Sequence, residues 1–239
     1  MNLAGQIVVV IGGSAGIGLE TARLARAEGA DVILVARNAE RLEQAAADVG
    51  AIRTAAFEAT DSAALAAFFQ EQTGPIDHVM VTAGRPYYGP LADLDLDRAS
   101  RSFDEHLWLP VNVARHAVRA VRPGGTLLFM GGTGARRPRP GLAAAAAGTA
   151  AMPALVANLA LEIAPVRVNL IAAGFVDTPL SAELLGDGLD ERRAELRQTL
   201  PIGRVVTAAD VASLAVHIMT NTALTGATYD IDGGQQLLP

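Results

Sequence analysis

The sequence predicts one α/β domain built on a doubly wound parallel sheet of about seven strands, with helices on both faces. Three observations carry this. Short apolar runs alternate with helix-spaced segments along the whole chain. Those runs are apolar throughout, as in strands covered on both sides. A glycine-rich turn stands directly between the first strand and the first helix. The chain has 239 residues, 51% hydrophobic and 18% charged, enough for one large core and too apolar for disorder. No repeat, low-complexity linker or domain boundary interrupts it, so residues 1–239 read as one domain.

Residues 7–11 (IVVVI) are the first predicted strand, and helical spacing follows over 17–28. Strand two covers 31–35 and its helix 39–49. Strand three covers 53–57, a helix 62–71, and strand four 78–81. A long helical region over 96–121 has Pro110 inside it, and strand five covers 125–130. Residues 142–163 read as helical. Pro153 removes the bond to the Thr149 carbonyl there, so the helix either kinks or begins near Pro153. Strand six covers 166–172, a helix 207–219, and a last strand 228–231. The more charged stretch 177–201 breaks this rhythm and reads as a helical lid over a site.

Aromatic residues are only 4%, so the core is built from small aliphatic side chains. A formal net charge of −6 argues against a nucleic-acid surface. Cysteine is absent, which removes disulfides and thiolate metal sites, and no metal site is expected. No basic segment precedes an apolar run at the N-terminus, and no apolar run reads as the roughly twenty residues of a membrane helix. The expectation is a cytoplasmic protein acting on a small molecule, without nucleic-acid or membrane partners.

The turn after strand one carries Gly12, Gly13, Gly16 and Gly18, with Ser14, Ala15 and Ile17 between them. Glycine lets the backbone approach a ligand closely, and the amides opening the next helix attract an anion. This is a phosphate cradle, and ligands of such sheets bind at the carboxyl ends of the strands. Strand two ends without an acid, at Ala36, Arg37 and Asn38. An acid there would serve the ribose 2′-hydroxyl of NAD, whereas an arginine suits the 2′-phosphate of NADP, so NADP(H) is expected over NAD(H). Asp61 caps the next helix, accepts from an adenine amino group, or does both. Thr82, Ala83 and Gly84 end strand four with small residues, as a flat ring crossing the strand end requires.

Together these residues resemble the short-chain dehydrogenase/reductase family over nearly the whole chain. The glycine motif reads IGGSAGIG over 11–18, and VTAG over 81–84 stands where the family has Asn-Asn-Ala-Gly. The run VRVNLIAAGFVDTPL over 166–180, PIGR over 201–204 and DIDGG over 230–234 are similar to its last third. The resemblance implies a Rossmann fold, an oxidoreductase activity, and cofactor contacts at Gly131, Gly174, Val176 and Thr178. It also implies a homodimer or homotetramer through the long helices around 96–121 and 142–163.

The family's chemistry uses a Ser, a Tyr-x-x-x-Lys pair and an Asn. Counting back from Asn169 puts the Tyr position on Ala145 and the Lys position on Thr149, within AAAAAGTAA. The Ser position falls on Gly132 and the Asn position on His106. Alanine cannot shuttle a proton, and threonine cannot supply the cation that acidifies a tyrosine. The candidate substitutes are His106, since histidine titrates near neutral pH, and Thr133, whose hydroxyl adjoins the Ser position. Tyr87, Tyr88 and Arg136 are expected to line the substrate pocket. Three readings follow: an NADP(H)-dependent oxidoreductase for a small carbonyl, imine or enone with an atypical site; a lyase, isomerase or cyclase on the same fold; or a non-catalytic nucleotide-binding or scaffold subunit.

Overall fold

A computed structural model describes residues 2–238. Seven strands form one parallel sheet in the order β3-β2-β1-β4-β5-β6-β9. In chain order these are β1 (Ile7–Ile11), β2 (Asp31–Ala36), β3 (Arg53–Ala56), β4 (Ile76–Val81), β5 (Val121–Gly132), β6 (Arg167–Ala173) and β9 (Thr228–Ile231). Between β6 and β9, β7 (Val176–Asp177) pairs in parallel with β8 (Val206–Thr207). The helices are α1 (Gly16–Ala27), α2 (Ala39–Val49), α3 (Ser62–Gln70), α4 (Leu96–Phe103), α5 (Leu109–Ala117), α6 (Ala143–Glu162), α7 (Pro179–Leu185), α8 (Leu189–Thr199) and α9 (Ala208–Thr220). This is the doubly wound single domain that the alternation predicts.

Strand side chains point alternately to the two faces, and each face has its own core. Val9, Ile11, Val79 and Phe129 pack with Leu109, Val113, Met152 and Val156 beneath α5 and α6. Val8, Val10, Leu34 and Leu128 pack with Ala22, Ala25, Ala215 and Val216 beneath α1 and α9. The alanines let α1 and α9 lie close over the sheet. The strand order reverses between β1 and β4, which opens a crevice at their carboxyl ends.

Three predictions about helices need correction. Residues 96–121 are not one helix: α4 runs into a π-helical turn over Asp104–Trp108, and α5 starts beyond it with Pro110 in its first turn. Proline is tolerated there because the first amides of a helix have no intrahelical partner. Val121 already belongs to β5. Pro153 lies inside α6, which begins at Ala143, so the start near Pro153 is excluded. Finally, α6 has 20 residues and a mean hydropathy of 1.5, so by length and composition it does match a membrane helix, contrary to the sequence reading. In the fold it lies along the sheet and buries Gly148, Met152, Val156 and Leu159.

Candidate active site

The crevice holds two adjoining cavities, of about 630 Å³ and about 240 Å³. Gly12, Ala15 and Thr82–Gly84 border both. The backbone is tight here. A Cβ on Gly12, whose φ is +97°, would stand 2.5 Å from the Ala83 nitrogen, and one on Gly18 would stand 2.4 Å from the Gly12 oxygen. The Thr82 hydroxyl donates to the Gly12 carbonyl at 3.1 Å. Glycine is therefore required where β1, β4 and the start of α1 meet. The residue before α1 is Ala15, which offers no side-chain cap, while Gly16, Ile17 and Gly18 of the first turn line the larger cavity. Uncapped amides at a helix start facing a groove fit the pyrophosphate of a dinucleotide.

Ser14 and Arg37 line the smaller cavity with Arg41, Glu58 and Thr60. Arg37 Nη1 lies 3.4 Å from Glu58 Oε2, both side chains being largely exposed. Asn38 and Asp61 are not in the wall of either cavity. Asn38 accepts from the Arg41 amide and caps α2. Asp61 accepts from the Ala63 and Ala64 amides and caps α3. Both therefore cap helices, which for Asp61 is one of the two roles the sequence offers.

The larger cavity gathers Gly131, Gly132, Thr133, Ala145, Thr149, Gly174, Val176 and Thr178, as well as His106 and Tyr88. Gly132, Ala145 and Thr149 thus share one wall without a titratable group between them. Thr149 turns its hydroxyl to the Ala146 carbonyl at 3.1 Å, and its Cγ2 would stand 3.4 Å from a Cβ on Gly132. No lysine can enter from elsewhere, because all 19 Lys and Arg residues of the chain are arginines. The composition alone shows this. Thr133 is 8% exposed, its amide donating to the Ala173 carbonyl at 3.1 Å.

His106 sits in the π-helical turn, a distortion frequent at functional sites. Its Nδ1 lies 2.8 Å from the Ser102 carbonyl, which can only accept, so Nδ1 carries a hydrogen. Nε2 is then the exchangeable position. The neighbouring Glu105 accepts from the Arg85 amide at 2.6 Å and lines both cavities. Tyr88 is 49% exposed at the cavity wall, and burial of its phenol raises its pKa.

Tyr87 and Arg136 do not reach the cavity wall. The Tyr87 hydroxyl accepts from the Asp95 amide at 3.1 Å, and the Arg98 guanidinium lies 4.7 Å from its ring centroid. Arg136 is bound to the Asp230 carboxylate, which raises its pKa, and to Gln236 Oε1 at 3.0 Å. In their place Arg139, Arg192 and Gln235 line the cavity. Nothing in the sequence separates Arg136 from Arg139, because neighbouring residues of a loop face different ways.

The stretch 177–201 supplies α7 and α8. Thr178 and Ser181 form a capping box that starts α7 beside the glycine loop. An ion pair of 2.7 Å joins Arg85, after β4, to Glu183 of α7 across the crevice. Leu184 and Leu185 add an apolar wall to the larger cavity.

A family model described as enoyl-(acyl carrier protein) reductase matches residues 12–236. A short-chain dehydrogenase/reductase, ATR9, of Stachybotrys chlorohalonatus is 29% identical over 98% of each chain. Among solved structures, a small-chain dehydrogenase in complex with NADPH is 29% identical, with a TM-score of 0.83 over 97% of this chain and 99% of that one. The MalC reductase/Diels-Alderase of Malbranchea aurantiaca is 25% identical, with a TM-score of 0.91 over 98% of both.

Proposed function

Since this chain belongs to the short-chain dehydrogenase/reductase family, we propose that it is an oxidoreductase that binds NADP(H) across the crevice and uses His106 in place of the usual Tyr-Lys pair. One observation carries the reading: His106, Thr133 and the titration-silent wall of Gly132, Ala145 and Thr149 share one cavity with the glycine turn. Gly16–Gly18 hold the pyrophosphate, Arg37 the 2′-phosphate, and Gly131, Gly174, Val176 and Thr178 the nicotinamide side. The NADPH complex of a relative supports a nicotinamide cofactor. When bound, the cofactor supplies or accepts the hydride.

The substrate is a small carbonyl, imine or enone in the larger cavity. Hydride addition to a carbonyl carbon leaves an alkoxide that must gain a proton. The Ser102 carbonyl fixes the ring of His106, whose Nε2 delivers that proton in reduction and removes it in oxidation. Thr133 donates a hydrogen bond to the same oxygen. The stretch 177–201 acts as the lid, its ion pair from Glu183 to Arg85 keeping water from the cleft. The outward stripe of α6, with Ala147, Ala150, Ala154 and Leu161 exposed, pairs with a second copy in a homo-oligomer.

The test is loss of reduced-nicotinamide absorbance with panels of ketones, imines and enones. His106→Asn should lower kcat with little change in KM and remove a pH-dependent step from kcat. No consumption with any substrate, or an unchanged His106→Asn profile, refutes the reading. A second reading, ring closure without net redox, is favoured by the proton-inert wall and by likeness to a protein described as both reductase and Diels-Alderase. It predicts product formation with the cofactor unchanged.

A further inference from the structure

The basic loop after β5 runs through Arg136, Arg137 and Arg139, with Pro138 and Pro140 between and beyond. Its arginines separate. Arg136 is neutralised by Asp230, and Arg137 donates to the Gln235 carbonyl at 3.2 Å. Arg139 forms no ion pair among the described residues and lines the larger cavity, as does Arg192 of α8. Arg192 is held firmly: its side chain is 19% exposed, Nη1 lies 2.6 Å from Glu195 Oε2, and the guanidinium is 6.0 Å from the Phe175 ring centroid. That pairing occupies one nitrogen of a fork with five donors. The loop is anchored as well, since the Gly89 amide donates to the Gly141 carbonyl at 3.0 Å.

Arg137 lies within electrostatic reach of both cavity-lining arginines. Arg137 has its pKa lowered, first by burial and then by Arg139 and Arg192, with Glu195 as the opposing charge. Arg139 and Arg192 both line the larger cavity, and of the two only Arg192 is paired, with Glu195. Arg139 has no ion-pair partner among the described residues, in a chain whose net charge is −6. Ala144, Ala145, Leu184 and Leu185 make the adjoining wall apolar. Arginine is well suited to bind a planar carboxylate through paired N–H donors. The smaller cavity, with Arg37, lies elsewhere along the crevice and contains neither Arg139 nor Arg192.

We propose that the larger cavity takes substrates with an apolar body and a carboxylate, the carboxylate being held by Arg139 and Arg192. This rests on the reading of that cavity as the substrate site. It adds a substrate class to that reading and names two specificity-determining residues that touch no reacting atom.

The test uses the intact protein saturated with NADPH, titrated with decanoate and with decanamide by calorimetry. The two probes share one apolar chain and differ in charge. Decanoate should bind about tenfold more tightly, and added salt should weaken decanoate alone. The double variant Arg139→Ala/Arg192→Ala should bring the two probes to within about twofold of each other, with NADPH affinity unchanged. Arg136→Ala, whose partner is Asp230, should retain the preference. Equal binding of the two probes to the wild type, no binding of either, or a preference that survives the double variant overturns the proposal. The NADPH titration and the turnover panels are read separately. A carboxylate preference without any turnover therefore leaves this proposal standing and removes the hydride-transfer reading alone.

Discussion

Replacing Arg37 by alanine should weaken NADPH binding and spare NADH. Arg37 stands at the end of β2, where the ribose of a dinucleotide bound over Gly12–Gly18 would lie, and 65% of its side chain is exposed. Its one side-chain partner among the described residues is Glu58 at 3.4 Å, itself 47% exposed. An exposed pair of that length contributes at most about 1 kcal/mol. A charge-assisted hydrogen bond to phosphate contributes about 1.5–3 kcal/mol. Giving up Glu58 for a 2′-phosphate then yields about 0.5–2 kcal/mol, or about 2–30-fold in Kd. Arg37→Ala should lose that factor for NADPH and change NADH by less than about twofold. Glu58→Gln is the converse: it leaves Arg37 unpaired and removes a like charge from beside the phosphate, so NADPH should bind more tightly. The assay is quenching of Trp108, the single tryptophan, half-exposed as the last residue of the π-helical turn, or calorimetry if that signal is silent. An equal loss for both cofactors, or tighter NADH than NADPH binding in the wild type, refutes the assignment of Arg37 to the 2′-phosphate.

Three further predictions concern the scaffold. His78 is 2% exposed, with Nε2 on Gln6 Oε1 at 2.6 Å and Nδ1 without a partner among the described residues; burial and then the cations Arg167 and Arg122 push its pKa down to about 3. The unfolded chain takes up that proton below about pH 6.5 and the folded chain does not, so stability is complete above that pH and falls as the pH drops toward 3. Urea unfolding at pH 5 should show roughly 2 kcal/mol less stability than at neutral pH from this group, and His78→Gln should remove that increment. Arg167 is 6% exposed and satisfied by the Gly124, Ile218, Met219, Asn221 and Leu224 carbonyls and the Thr126 hydroxyl, so Arg167→Met should cost about 3 kcal/mol or more in the same assay. Ala154→Glu on the outward stripe of α6 should convert a homo-oligomer to monomer in sedimentation velocity without changing the melting temperature by more than a few degrees.

Alternation of apolar runs was enough to place the sheet, because buried parallel strands and amphipathic helices leave opposite patterns. The segments that deceived the reading are those whose residues serve two structures. Pro110 looks like an interruption of a long helix and is the first turn of α5. Residues 122–124 look like a loop because Arg122, Pro123 and Gly124 are polar or turn-forming, yet they lie within β5. The two-residue strands β7 and β8 carry no period at all. Arg167 reads as a charge at a strand end. Only tertiary structure shows it buried under the α9–β9 connection, because its acceptors are backbone carbonyls that any sequence possesses.

The site divides in the same way. Glycines that prevent collision between β1, β4 and α1 were readable, since no other residue meets the steric demand at Gly12 and Gly18. Side-chain direction was not. Asn38 and Asp61 sit at the right strand ends, but the amides of α2 and α3 compete for their oxygens and hold them. Of the basic loop, one arginine goes to Asp230 and another to the cavity. The lysine-free composition is the one overlooked sequence fact that bears on mechanism. It leaves arginine as the one permanently cationic side chain in the cleft, and arginine stays protonated across the working pH range and cannot relay a proton. Of the cavity-lining side chains with an ionisable group, His106 is the one imidazole, its ring fixed by the Ser102 carbonyl. On the proposed reading, a proton-coupled reaction in this cleft uses Nε2 of His106, and water is the alternative donor. Exchange into deuterated solvent distinguishes them, because His106→Asn abolishes a solvent isotope effect on kcat in the first case and leaves it in the second.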